Sequence, residues 1–133
     1  MELKTYQEKA MTTCMESSNN FSYMFLNLVG EVGEFASKVA KAIRKEKAAV
    51  GWKEAIKEAD ENNLFPTCSY PEWKAMNEEL KKEAGDILWQ LSGLCSVMGW
   101  SLEEIAQMNL DKLAARRVAG TIDGSGDGII REK

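Results

Sequence analysis

The sequence predicts an all-α fold, a helical bundle of about four main helices. Apolar residues recur at steps of three and four along four segments, and turn-forming clusters separate those segments. No stretch shows a convincing strand alternation. The 133 residues are 44% hydrophobic, enough to build the core of one domain without disulfide or metal staples.

The first helix is expected from about Leu3 to Ser17, on the stripe Leu3, Tyr6, Ala10 and Cys14, with "SSNN" interrupting it. The second runs from about Phe21 to Lys45, on Phe21, Phe25, Leu28, Val32, Phe35 and Val39. Its basic end, "KAIRKEK", suits a helix C-terminus. An irregular insertion around 46–71 follows, broken by Gly51, Asn62, Asn63, Pro66 and Pro71. It has room for a short helix near Trp52 to Asp60 but is too short to bury a core of its own. The third long helix is expected from about Glu72 to Met98, on Trp73, Met76, Leu80, Ile87, Leu91 and Leu94. The fourth starts at the capping box "SLEE". There the Ser101 side chain can accept from the Glu104 amide while Glu104 reaches back. That helix continues through Ile105, Met108 and Leu113 to about Arg117, and a Gly-rich tail begins near 118.

Composition excludes several function classes. Seventeen basic and 21 acidic residues give a net charge of −4, which argues against a nucleic-acid polymer or a membrane surface as partner. No apolar run approaches membrane-spanning length. The three cysteines, Cys14, Cys68 and Cys95, form no CxxC pair, so a zinc knuckle is not expected. An odd count with no secretory leader fits reduced thiols in a cytoplasmic setting. There is no histidine, which removes Ser-His and Cys-His catalysis and metal sites built on Glu-x-x-His.

The chemistry is expected where charge interrupts the apolar stripes. On the third helix the path Trp73, Met76, Leu80 reaches Glu83 before Ile87. On the second, Glu31 stands between Leu28 and Phe35. Each has a carboxylate three residues on, Glu34 and Asp86, one turn away on a neighbouring face. Such pairs are common on solvated helix surfaces, where Glu34 would pair with Lys38. Both pairs at the edge of an apolar stripe favour another reading. A buried ionised carboxylate is costly unless paired or cation-bound. Oxygen-only ligands suit Mg²⁺, with Mn²⁺ also compatible. On the fourth helix Asn109, Lys112 and Arg116 share one face. They form either a cationic stripe for phosphate oxygens or an exposed basic helix end. In the tail, Gly124, Ser125, Gly126 and Gly128 could bring backbone amides to an anion. Trp52, Trp73, Trp89 and Trp100 are candidates for base stacking. Trp89 lies three residues past Asp86 but is more ordinarily a packing residue.

Three segments carry a family resemblance. "LVGEVGEF", "EAGDILWQL" and "NLDKLAARRVAGTIDGSGD" resemble, in order, the motifs of the MazG-like, all-α nucleoside triphosphate pyrophosphohydrolases. The resemblance spans roughly Phe21 to Asp127, apart from the insertion. It implies an oligomeric bundle, a dimer or tetramer, that cleaves a (d)NTP to a (d)NMP and pyrophosphate. It implies Glu31, Glu34, Glu83 and Asp86 as Mg²⁺ ligands and catalytic carboxylates, one of them also orienting or deprotonating the water. It implies Asn109, Lys112 and Arg116 as phosphate contacts. Many members carry an acidic residue where Gly30 stands, whereas other relatives, dCTP-cleaving ones included, have Gly there. "GII" separates the Gly-Ser-Gly-Asp from Arg131, so Arg131 is not counted as a phosphate contact. The alternatives are a non-catalytic helical interaction module and the related phosphoribosyl-ATP pyrophosphohydrolase.

Overall fold

The fold was read from a computed structural model that describes residues 1–44 and 71–122. Four α-helices make up nearly all of this: α1 (Leu3–Met11), α2 (Phe21–Arg44), α3 (Pro71–Val97) and α4 (Leu102–Ala119). There is no strand among the described residues. The 46–70 part of the insertion, Cys68, Trp52 and the tail glycines lie outside the described residues, as does the Trp73 side chain.

Local chemistry sets the helix ends. α1 stops at Met11, short of the expected Ser17, because Thr12 and Thr13 turn back on it. Their hydroxyls donate to the Lys9 and Ala10 carbonyls at 2.6 and 2.7 Å. A single 3₁₀ turn, Glu16–Ser18, follows. α2 then begins under a side-chain cap, with the Asn20 Oδ1 accepting from the Tyr23 amide at 2.8 Å. α3 starts on Pro71 itself, a residue suited to a first helical position because its missing N–H is not needed there. α4 is capped as expected by Ser101, whose side chain accepts from the Glu104 amide at 3.3 Å. It runs on to Ala119 and closes on Gly120 at φ 71°, a left-handed conformation that costs glycine little.

The frame is the pair α2 and α3, which pack along their length with α1 laid across α3 and touching α4. Lys38 meets Glu79 and Glu83, Asn27 meets Gln90, and Gln90 meets Met24, so the two long helices run antiparallel. The inner line of α2 is therefore Met24, Asn27, Glu31, Phe35 and Lys38. Met24 is fully buried, and the other four are half-buried. This corrects the expected stripe. Phe21, Phe25 and Val32 are about half exposed, with the two phenylalanine rings stacked on each other at 5.7 Å. On α3 the inner line is Leu80, Glu83, Gln90 and Gly93, all buried.

Gly93 lets the two helices approach. A Cβ there would overlap the Sδ and Cε of Met24, so that buried side chain would have to repack. Gly93→Val is expected to lose about 1–3 kcal/mol by overpacking. A urea titration should show a lower midpoint with an unchanged slope, and a midpoint at or above that of the wild type would refute this packing account.

Two side chains dock α1. The Gln7 amide donates to Ser96 Oγ and the Trp100 carbonyl, and its oxygen accepts from the Leu102 amide at 2.8 Å, satisfying the start of α4. The Trp89 indole donates to the Ala10 carbonyl at 3.1 Å and to Thr13 Oγ1 at 2.9 Å. Trp89 is thus half-buried and tied to α1.

Candidate functional site

The antiparallel register brings the charged breaks in both apolar stripes together. Carboxylate oxygens of Glu31, Glu83 and Asp86 all lie within 4.8 Å of one another. Glu83 is buried, Glu31 half-buried and Asp86 exposed, so the cluster grades from the helix interface outward to solvent. Glu34 is not part of this close group. It is exposed on the next turn of α2, near enough that its charge acts on Glu31.

Electrostatics mark the cluster as strained. The Glu31 carboxyl is pushed above its usual range, first by burial and then by the charges of Glu34, Asp86 and Glu83. The Asn27 amide opposes this by donating to Glu31 Oε1 at 3.3 Å. Asn27 is itself held by Gln90 Oε1 at 2.8 Å, and the buried Gln90 amide donates to the Met24 carbonyl and Sδ. A polar relay thus runs from the core of the helix pair to the edge of the acidic group. Tyr6 of α1 feels the same field. Its phenol is held above its usual range by burial and then by Asp86.

Among the described residues, Lys38 brings a cation to the cluster. Lys38 Nζ lies against Glu83 Oε1 and, at 3.2 Å, against Glu79 Oε2. A solvated-surface reading would allow Lys38 to pair with Glu34, but the α2–α3 register presents Glu83 and Glu79 to it. These contacts hold the Lys38 ammonium above its usual range, Glu83 contributing most, and Lys38 with Lys82 draws the exposed Glu79 below its own.

A divalent ion fits this set. The Oε2 atoms of Glu31 and Glu83 are buried with no hydrogen-bond partner, an arrangement costly for carboxylates that nothing coordinates. The donors are all oxygens, as hard divalent cations prefer.

Asn109 and Lys112 are exposed on α4 and Arg116 is half-buried. Among the described residues no hydrogen bond or ion pair links Asn109 or Lys112 to the acidic cluster. Trp89 does not offer its indole to the cluster, and Trp100 is about half exposed beyond the end of α3. Three residues around the site had not been singled out from the sequence: Asn27, Lys38 as a cross-helix partner, and Gln90. Asn27 and Gln90 do carry a signal, standing four residues before Glu31 and seven after Glu83 on the same stripes.

Fold and site together define a class, all-helical bundles whose two longest helices converge carboxylates that could hold a cation. Within that class the chain belongs to the MazG nucleotide pyrophosphohydrolase domain family, whose model matches residues 19–119. It is also 30% identical over 134 residues to the Gene 37 protein of Mycobacterium phage L5, covering 96% of this chain and 98% of that one. No solved structure matches significantly. None of the described helices is long and apolar enough to cross a membrane.

Proposed function

We propose that the protein is a Mg²⁺-dependent nucleotide pyrophosphohydrolase that converts a (d)NTP and water to a (d)NMP and pyrophosphate. The observation that carries this is the convergence of Glu31, Glu83 and Asp86 with two buried, unpartnered carboxylate oxygens. Membership of the MazG domain family supports the reaction class. Glu31, Glu83 and Asp86 would hold the ion, with Glu34 joining from the adjacent turn. What a bound Mg²⁺ or Mn²⁺ supplies is charge for the phosphate oxygens and a more acidic water. The protein's share is to fix the carboxylates through the Asn27–Gln90 relay and to offer a carboxylate as acceptor for the water's proton. Addition of water across the α–β phosphoanhydride then breaks the bridging P–O bond, and pyrophosphate leaves.

Asn109, Lys112 and Arg116 are assigned to the substrate's phosphates, in keeping with the third family-like segment. A second proposal is a homo-oligomer, dimer or tetramer, working in the cytoplasm. The exposed Phe21, Phe25 and Val32 of α2 and Met108 and Leu110 of α4 support it, since apolar area of this kind favours association. A light-scattering mass equal to the monomer would remove this part.

The test is a nucleotide panel that includes phosphoribosyl-ATP, run with Mg²⁺ and with a chelator. Monophosphate and pyrophosphate should appear only with the metal. Turnover of no nucleotide in the panel would leave the non-catalytic interaction module as the better reading.

A further inference from the structure

Lys38 places a cation directly on the acidic cluster, against its most buried carboxylate. Glu83 is the buried member of the group, and the Lys38 ammonium sits on its Oε1. A divalent ion drawing on that carboxylate must compete with the ammonium for it. The second partner of Lys38, Glu79, stands one turn before Glu83 on α3, is more than half exposed, and does not belong to the cluster. Lys38 can therefore let go of Glu83 without losing every anionic contact.

We propose that Lys38 is a resident counter-ion of the site and a positioning residue for its metal. It neutralises Glu83 when no divalent ion is bound, and it shifts its weight to Glu79 when one binds. The physical reason is the cost of leaving a buried carboxylate uncompensated beside two others. The ammonium meets that cost reversibly, because a single-point cation on a four-carbon stem can move between two acceptors one helical turn apart. Metal affinity is then set by a difference between two cations on Glu83. Glu79 tunes that difference from outside the ligand set. This inference rests on the reading of the cluster as a metal site.

The experiment measures Mn²⁺ binding by electron paramagnetic resonance on chelator-treated full-length protein, at about 0.15 M salt and without nucleotide. Charge-assisted hydrogen bonds contribute enough that removing the competitor should matter by about tenfold. Lys38→Met is expected to bind Mn²⁺ about tenfold more tightly than the wild type and, without metal, to melt at a lower temperature. Lys82→Met makes the same charge change beside Glu79 and should alter affinity by less than about twofold, because exposed charges are screened. Glu79→Gln should weaken binding severalfold by removing the place to which Lys38 withdraws. Glu78→Gln, next to it and paired with Lys81, should not. Equal effects of Lys38→Met and Lys82→Met, or no tightening by Lys38→Met, would overturn the proposal. If Lys38→Met fails to fold, the comparison of Glu79→Gln with Glu78→Gln decides, and equal affinities there would overturn it too. A wild type that binds no Mn²⁺ sensitive to Glu83→Gln would instead bring down the metal reading, and this inference with it.

Discussion

Glu83→Gln is expected to lower pyrophosphohydrolase activity by at least about 100-fold while the helical circular dichroism stays that of the wild type. Residues that merely orient metal ligands cost 10- to 100-fold when removed, which sets a floor for a ligand itself. Glu83 is the candidate with the most to lose. It is buried at the α2–α3 interface, one oxygen lies on Lys38, and the other is buried without a partner. The amide keeps the shape of the side chain, so the inner line of Leu80, Gln90 and Gly93 packs as before. Lys38 retains Glu79. What goes is the negative charge that would attract a divalent ion. The same variant should lose the Mg²⁺-dependent rise in melting temperature that a binding site confers. Full activity in Glu83→Gln would place the chemistry elsewhere in the molecule.

The legibility of this site in the sequence follows from where its charges stand. Glu83 and Glu31 were readable because each interrupts an apolar stripe at a position the helical period reserves for the core. The structure buries one and half-buries the other. Asp86 and Glu34 were readable only as neighbours one turn on. That spacing does not say which of them joins the close group: Asp86 does and Glu34 does not, though both are exposed. Within a single helix, spacing offers Lys38 only near neighbours such as Glu34, four residues back. Its real partners lie about 40 positions away and depend on the antiparallel register.

The helices themselves were legible for the same reason of period, and their ends for reasons of capping chemistry. Ser101 announced the start of α4. The early stop of α1 was hidden, because threonine hydroxyls folding back on carbonyls leave no periodic trace. Spacing puts the inner face of α2 on Phe21, Phe25, Leu28, Val32, Phe35 and Val39, and of these the structure half-buries only Leu28, Phe35 and Val39. A helix apolar on two faces does not show by spacing alone which face its own chain covers. Gly93 decided the matter sterically, by admitting Met24, and a glycine inside a helix carries no marker of what approaches it.

The second large effect concerns Glu31, where stability and activity should move in opposite directions. The Glu31 carboxyl is raised by burial and by Glu34, Asp86 and Glu83, so the folded state favours its protonated form. A group raised on folding contributes its stability below its unfolded pKa and loses it as pH rises through the folded value. At neutral pH the ionised Glu31 therefore works against the fold. Glu31→Gln removes that charge, and its amide oxygen can still accept from Asn27. In chelator-treated protein at pH 7 the variant should melt at a higher temperature than the wild type. The advantage should fade as pH falls below the ordinary carboxylate range, where wild-type Glu31 is protonated as well. With saturating Mn²⁺ the order should reverse, because the wild type gains binding energy that the variant forgoes. Activity should fall in the variant throughout, as expected where a strained group is kept for function. A lower melting temperature for Glu31→Gln at pH 7 without metal would mean that the Asn27 bond outweighs the repulsion, and that the acidic cluster carries less strain than its geometry implies.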